Sequence, residues 1–122
     1  MRVKDAVGRY GEQLAADHLV ASGMTILDRN WRCHDGELDL VARDGDELVF
    51  VEVKTRSTTA FGDPAEAVSA VKAARIRRLA LHWLAECGPR LGGARRDVRF
   101  DVVTVVRLGH DGPRVSHLRA AF

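Results

Sequence analysis

The sequence has few of the features that mark secreted, membrane-bound or zinc-knuckle proteins. Its two cysteines, Cys33 and Cys87, share no short spacing with each other or with a histidine pair, so neither a zinc knuckle nor a disulfide framework is expected. No apolar run approaches the roughly 20 residues that span a bilayer. Residues 1–10 mix charged side chains with few apolar ones, unlike a signal peptide. We therefore expect a cytoplasmic protein with reduced thiols and no membrane association.

The charge is small in total but unevenly distributed. The net charge is +2, yet residues 1–66 hold 8 Lys and Arg against 13 Asp and Glu, and residues 67–122 hold 11 against 4. An acidic half beside a basic half suits a metal site next to a phosphate-binding surface, although ordinary scatter can give the same division. The length of 122 residues, 46% of them hydrophobic, fits one domain over residues 1–122 with a real core.

Hydrophobic periodicity predicts an α/β domain of order α-β-β-β-α-β-β, with a mixed central sheet flanked by helices. Helices are predicted at about residues 5–22, ending at Gly23, and at 69–87, ending at Gly88-Pro89 with Trp83 on its apolar stripe. Strands are predicted at about residues 24–27, 37–42, 47–55, 98–107 and 115–118. Residues 29–36, 58–64 and 88–94 are expected to be irregular, with a turn at 110–113.

The first helix contains a glycine, Gly11, in its interior. Glycine there costs up to about 1 kcal/mol relative to alanine. Close approach of another backbone beside Glu12 would account for it.

The second and third strands give the clearest local signal, because Asp44-Gly45 lies between two alternating runs and is typical of a hairpin. Alternate strand residues point to opposite faces. A turn centred on residues 44–45 pairs residues whose numbers sum to 89, and a turn centred on residues 45–46 pairs residues whose numbers sum to 91. Both registers place Asp39, Glu52 and Lys54 on one face, together with Glu37. Only the second turn sets Asp39 directly opposite Glu52.

Acidic side chains on one strand face repel each other unless something offsets their charge. Like charges directly opposite destabilise a strand pair, and burial of an unpaired carboxylate costs several kcal/mol. Lys54 neutralises at most one acid, whereas Mg²⁺ (or Mn²⁺) takes carboxylate oxygens as ligands. The pattern therefore favours metal-assisted phosphodiester hydrolysis, with Lys54 orienting water or stabilising negative charge. A solvated hairpin face with cross-strand salt bridges is the alternative, and one or two metals are equally compatible.

Several ordered segments carry a family resemblance. They are Gly8-Arg9-Tyr10-Gly11-Glu12, Gly36-Glu37-Leu38-Asp39-Leu40, Val49-Phe50-Val51-Glu52-Val53-Lys54-Thr55-Arg56, Lys72 with Ile76, and Arg99-Phe100-Asp101-Val102-Val103. Together they resemble the YraN family of uncharacterised bacterial proteins, within the PD-(D/E)xK (restriction-endonuclease-like) superfamily and related to archaeal Holliday-junction resolvases.

This resemblance implies a restriction-endonuclease-like fold and a set of site residues. Glu12, Asp39, Glu52 and Lys54 would be catalytic, and Asp39, Glu52 and the carbonyl of Val53 would bind the metal. Leu38 stands where the signature has proline, a substitution common in the superfamily. The expected function is a Mg²⁺-dependent endonuclease acting on DNA, including branched DNA. The alternatives are a non-catalytic nucleic-acid-binding module of recombination or repair, and a structural or interaction domain.

The basic residues are candidates for the partner surface. Arg56, Lys72, Arg75 and Arg78 are expected to contact nucleic-acid phosphates, with a solvated helix face as the alternative. Paired cuts in a junction would call for a homodimer, for which the sequence indicates no surface.

Other polar and aromatic residues are given simpler interpretations. His34 with Asp35 and Glu37 lacks ligand spacing and is interpreted as loop polarity. Tyr10 and Trp31 are interpreted as packing residues rather than base-stacking platforms. Asp101 is expected either to support the site or to pair with an arginine.

Overall fold

The computed structural model describes residues 3–56, 68–91, 97–107 and 112–122, with side chains from residue 7 onwards. The elements, in order, are α1 (Val3–Ala21), β1 (Thr25–Cys33), β2 (Gly36–Asp44), β3 (Glu47–Arg56), α2 (Ala70–Cys87), a short 3-10 helix (Gly88–Leu91), β4 (Val98–Val106) and β5 (Arg114–Leu118). The predicted order of helices and strands is confirmed. The loop expected at 58–64, and parts of those at 88–94 and 110–113, lie outside the described residues. Within the described part, no helix is long and apolar enough to cross a membrane.

The five strands form one mixed sheet in the order β1-β2-β3-β4-β5. β3 and β4 are parallel, and the other neighbours are antiparallel. The α1 cluster, on one face, includes Ala15, Leu19, Leu40, Val49, Val51 and Val103. The α2 cluster, on the other, includes Leu38, Val41, Phe50, Ile76, Leu79 and Trp83. The sheet is thus covered by a helix on each side, and the predicted apolar stripe of α2, Trp83 included, is confirmed.

The hairpin of β2 and β3 adopts the second of the two expected registers. Its paired residues run from Asp44↔Glu47 to Leu40↔Val51, which places Gly45 and Asp46 in the turn. Gly45 has a φ of 60°, as such a turn requires. Beyond Val51, β3 stays paired with β4 as far as Arg56. A gap therefore opens between β2 and β3 at Asp39, just past the last pair.

The first strand is longer than predicted. β1 continues to Cys33, so the prediction of irregular structure at residues 29–36 was wrong for most of that stretch. β1 is an edge strand whose pairing with β2 extends to Cys33↔Gly36, and this long-range partner outweighs the polar local sequence. The pairing is irregular between Ile26 and Asp28, and Asn30 has a φ of 51°.

The regular alternation expected in β2 fails at Asp39. Leu38 belongs to the α2 cluster and Leu40 to the α1 cluster, although residues two apart should share a face. The neighbouring strand has its left-handed residue, Asn30, between the residues that pair with these two leucines, Trp31 and Arg29. Because of this irregularity, Asp39 does not follow the regular alternation of side chains between the two faces of the sheet. Its carboxylate lies at the gap between β2 and β3.

Candidate metal and phosphate site

Three carboxylates meet beside the gap between β2 and β3. One oxygen from each of Glu12, Glu37 and Asp39 lies within 4.8 Å of the other two, and all three side chains are partly buried. Glu12 comes from α1, whereas Glu37 and Asp39 come from the start of β2. Carboxylate oxygens at this spacing suit a hard divalent cation such as Mg²⁺.

Glu12 reaches the site because α1 lies very close to β3. A Cβ added at Gly11 would overlap the Thr55 hydroxyl, so any larger residue would push the helix away from the strand. The expected close approach at Gly11 is thus present, although the neighbour is a side chain rather than backbone. Glycine at this position brings the adjacent Glu12 up to the sheet.

Asp39 is held by the backbone of the neighbouring strand. Its Oδ2 accepts a hydrogen bond of 2.8 Å from the N–H of Val53. Burial, followed by the negative charge of Glu52, raises the pKa of Asp39 from 3.8 to about 7, even though the Val53 hydrogen bond acts in the opposite direction. Glu12 and Glu37 raise this pKa further. A carboxyl with this pKa is only partly ionised near neutral pH and is stabilised as the anion by a nearby cation.

The pKa of Glu12 is shifted in the same direction. Burial raises it above 4.5, and the charges of Glu37 and Glu52 add to that effect. A hydrogen bond with Asn30 lowers the pKa of Glu12 in part. The two acids thus share one cause, because each is withdrawn from water into a region already rich in negative charge.

Glu52 lies next to this group but has cationic partners of its own. Its Oε1 is 2.7 Å from Lys72 Nζ and 3.4 Å from Lys54 Nζ, and the Glu52 side chain is only 12% exposed. Burial and the neighbouring Lys72 lower the pKa of Lys54. Burial acts to lower the pKa of Lys72 too, but its contacts with Glu52 and Lys54 outweigh this effect and raise it. Of the two lysines, Lys72 therefore holds its proton more firmly.

A cavity of about 240 Å³ lies between β2, β3 and α2 and connects two of the three clustered acids with Glu52 and Lys72. It is lined by Gly36, Glu37, Asp39, Glu52, Lys72, Arg75, Ile76 and Leu79. Lys72 and Arg75 are neighbours at i, i+3 on α2, and Arg78 lies exposed one step further along the helix. Arg56 ends β3, two residues past Lys54. Two of the four predicted phosphate-binding residues thus line the cavity with the acids.

The structure brings together all the residues predicted from the family signature, but with different neighbours. Asp39 groups with Glu12 and Glu37, whereas Glu52 is engaged by two lysines. Sequence reasoning placed Glu37 on the acidic face without giving it a role, and it missed Lys72 as a partner of Glu52. Glu37 and Asp39 are two residues apart in one strand, and this spacing was the sequence signal that could have given Glu37 a role in the site. The contact between Lys72 of α2 and Glu52 of β3 joins two separate elements, so no local sequence pattern predicts it.

Of the remaining predictions, those for Asp101 and Trp31 are confirmed, whereas the packing role predicted for Tyr10 is wrong because its side chain is exposed. Asp101 is fully buried and pairs with Arg99 and His117, as one of its two interpretations held. Trp31 packs against the α2 cluster, whereas Tyr10 is 42% exposed beside the Arg107 guanidinium. Arg77, on the same helix as Lys72 and Arg75, lies over the rings of Phe100 and Phe122. Both cysteines are free thiols.

Comparison with known proteins shows the family of this chain. The model of the uncharacterised protein family UPF0102 matches residues 11–105, from Gly11 to the end of β4. A UPF0102 protein of Frankia alni is 63% identical over 122 residues, covering 100% of this chain and 98% of the relative. One from Beutenbergia cavernae is 59% identical over 119 residues, covering 98% of each chain. One from Acidothermus cellulolyticus is 51% identical over 125 residues, covering 98% of this chain and 95% of the relative. The chain therefore belongs to the UPF0102 family, which is the YraN family that its motifs resemble.

Proposed function

We propose that this protein is a divalent-metal-dependent endonuclease with a restriction-endonuclease-like fold, acting on phosphodiester bonds in DNA. The observation that carries the proposal is the meeting of Glu12, Glu37 and Asp39 within 4.8 Å, beside the Glu52–Lys54–Lys72 group. Partly buried acids repel each other at this distance, and a metal ion offsets that repulsion. A binding surface for phosphate has no need of acids facing the ligand.

The donor set fits Mg²⁺ or Mn²⁺. All the side-chain donors are carboxylate oxygens, which these ions prefer to nitrogen or sulfur. Asp39 would bind through Oδ1, because Oδ2 accepts the Val53 N–H. A strand residue directs its N–H and its C=O to the same side, so the carbonyl of Val53 faces the same gap and is a further ligand. Both lysines contact Oε1 of Glu52, which leaves Oε2 for the metal.

The two lysines have different roles in the proposed reaction. A bound divalent ion would polarise the scissile phosphate and lower the pKa of a water molecule. Lys54, whose pKa is lowered, orients the attacking water by hydrogen bonding. Lys72, whose pKa is raised, keeps its positive charge and stabilises negative charge that develops on the phosphate. Glu52 positions both ammonium groups through a single oxygen.

The DNA backbone would lie along the N-terminal half of α2. Lys72 and Arg75 line the cavity and Arg78 continues the same ridge, so successive phosphates can be contacted by successive turns. Branched DNA is the substrate class proposed from the family resemblance, and paired cuts in it would require two copies of the chain.

One observation favours a second function, that of a metal-free nucleic-acid-binding module. The 2.7 Å contact of Lys72 with Glu52 satisfies this carboxylate without a metal. Such a protein would bind DNA through α2 and cleave nothing.

Cleavage of linear, nicked, flap and four-way-junction DNA with Mg²⁺, Mn²⁺ or chelator tests these functions against each other. Wild type would be compared with Asp39→Asn, Glu52→Gln and Lys54→Met, and with Glu86→Gln as a control that removes an exposed acid from α2. The endonuclease proposal predicts metal-dependent cleavage that falls by about 10²-fold or more in the three site variants and is unchanged in the control. DNA binding without cleavage by wild type, unaltered by Asp39→Asn, would instead support the binding module.

A further inference from the structure

A second cluster of metal-ligand side chains lies at the β1–β2 turn. His34 and Asp35 occupy this turn, and His82 reaches it from α2. One donor atom from each residue lies within 4.8 Å of the other two. Asp35 and His82 are 47 positions apart, so only the fold brings them together.

Two donor–donor distances in this cluster lie close to the separation of zinc ligands, and the shorter one is also a hydrogen bond between Asp35 and His82. With metal–ligand bonds of about 2.0–2.1 Å, two ligands of a tetrahedral zinc ion lie about 3.3 Å apart. Asp35 Oδ2 is 2.7 Å from His82 Nε2 and 3.6 Å from His34 Nε2, values that bracket this separation. The two imidazole rings meet edge to face, with centroids 5.2 Å apart, so they do not stack and block each other.

We propose that His34, Asp35 and His82 form a binding site for a transition-metal ion of the zinc type. Two imidazole nitrogens and one carboxylate oxygen suit Zn²⁺ far better than Mg²⁺, which takes oxygen ligands. The three side chains are 78%, 36% and 41% exposed, so an ion reaches them from solvent and water completes its coordination.

A metal here would fasten the β1–β2 turn to the C-terminal half of α2. The residues that follow the turn, Gly36 and Glu37, line the cavity together with Leu79 of α2. A zinc ion would therefore hold two walls of that cavity together from outside. The proposal stands independently of the nuclease function, since it rests on different side chains and a different class of ion.

Zinc binding measured by calorimetry, with competition against a chromophoric zinc indicator, tests the site. We expect wild type to bind one Zn²⁺ in excess Mg²⁺, with affinity reduced at least about tenfold in His82→Gln and in Asp35→Asn. Glu12→Gln, Cys33→Ser and His18→Gln should bind as wild type does, since they remove an acid of the first cluster, the adjacent thiol and an unrelated histidine. Thermal melts of each variant verify folding.

Two results would overturn the proposal. One is the absence of zinc binding by folded wild-type protein. The other is binding that survives in both His82→Gln and Asp35→Asn, or that is lost in Glu12→Gln or Cys33→Ser instead, which would place the ion elsewhere.

Discussion

The carboxylate of Asp39 accepts a 2.8 Å hydrogen bond from the backbone N–H of Val53, across the gap where β2 and β3 cease to pair. The side chain thus takes the place of a missing strand partner and satisfies a donor that would otherwise face the gap. It is fixed through Oδ2, so its other oxygen has a defined direction. An acid anchored in this way to the strand that carries Glu52 and Lys54 keeps a constant position relative to both.

This anchoring explains why Asp39 remains in place despite the negative charge around it. Glu52, Glu12 and Glu37 all raise its pKa, and only the Val53 hydrogen bond among its main interactions favours the anion. Without a metal, the carboxylates of the site therefore repel each other. Groups whose pKa values are shifted in this way are concentrated at functional sites.

Lys72 places a positive charge against Glu52, the carboxylate that would bind a metal in the proposed site. Replacing Lys72 with methionine removes the 2.7 Å ion pair and keeps the length of the side chain. We expect Mg²⁺ affinity to rise by roughly threefold or more, because the positive charge in contact with Glu52 is removed, while any DNA cleavage falls. Calorimetric titration with Mg²⁺ measures the first effect. Arg75→Met is the matched control, since it removes a cation from the same cavity and leaves both lysine contacts of Glu52 intact. Unchanged or weaker Mg²⁺ binding in Lys72→Met would contradict this account.

The stability of the metal-free protein should fall as the pH rises from about 4 to 7. The pKa of Asp39 is about 7 in the folded chain and 3.8 ordinarily, so between these values the unfolded chain ionises while the folded chain keeps the proton. Asp39 therefore stabilises the fold most below pH 3.8 and loses that contribution as the pH passes 7. Denaturant unfolding with chelator should show wild type losing roughly 2 kcal/mol more than Asp39→Asn across this range.

Asparagine at position 39 keeps the acceptor for Val53, so the two proteins differ mainly in charge. Equal pH dependence in both would show that Asp39 ionises normally. Saturating Mg²⁺ should flatten the wild-type curve if the ion binds here.

The sequence predicted the components of the site better than their arrangement. The alternation in β3 correctly set Val49 and Val51 against Phe50, because this central strand is regular. It failed in β2, where Leu38 and Leu40 face opposite helices. The irregular residue, Asn30, belongs to the neighbouring strand β1, so the sequence of β2 itself does not indicate it. Both hairpin registers satisfied the local turn chemistry, so pattern alone could not choose between them.

Long-range contacts were the other part that sequence could not supply. Glu12 joins Asp39 because α1 packs on β3, and Lys72 joins Glu52 because α2 packs on the opposite face. Gly11 gave a weak signal of such a contact, since close approach of a neighbour is one reason for a glycine inside a helix, whereas Gly8 in the same helix has no such neighbour. His82 gave none, because an exposed polar residue on a helix is ordinary.

Gly11 should be intolerant of even a methyl group. Gly11→Ala places a Cβ against the Thr55 hydroxyl, and we expect a loss of about 1–3 kcal/mol in the free energy of unfolding. Gly8→Ala is the matched control in the same helix, because its Cβ would meet nothing within 4 Å, and it should be neutral or stabilising. Denaturant unfolding measures both.

A double-mutant cycle identifies the cause of that loss. Thr55→Ala removes the hydroxyl and the methyl that the new Cβ would meet, so Gly11→Ala should cost less in that background. Strictly additive effects would show that Thr55 is not what excludes a side chain at position 11.

The last prediction concerns Asp101, the fully buried acid of β4. It accepts hydrogen bonds from Arg99 and from the Ala120 N–H, and its Oδ2 lies 2.7 Å from His117 Nε2. Burial alone would raise the pKa of Asp101, but these hydrogen bonds outweigh it and hold the pKa below 3.8. Asp101→Asn removes one of the three carboxylates that contact Arg99, and the only one of them that is fully buried, and should destabilise the fold by about 3 kcal/mol at pH 7. The exposed turn substitution Asp46→Asn should change the free energy of unfolding by less than about 0.5 kcal/mol.

The pH dependence of this loss shows whether the charge of Asp101 or the packing of its side chain provides the lost stability. Because the folded pKa of Asp101 is below the unfolded one, its contribution is complete above pH 3.8 and disappears as the pH falls through the folded value. The gap between wild type and Asp101→Asn in denaturant unfolding should therefore be constant from pH 5 to 8 and narrow below 3.8. A gap that stays constant to the lowest pH would mean that the lost stability comes from packing, and that the charge of Asp101 contributes nothing to holding β5 and the C-terminal residues on the sheet.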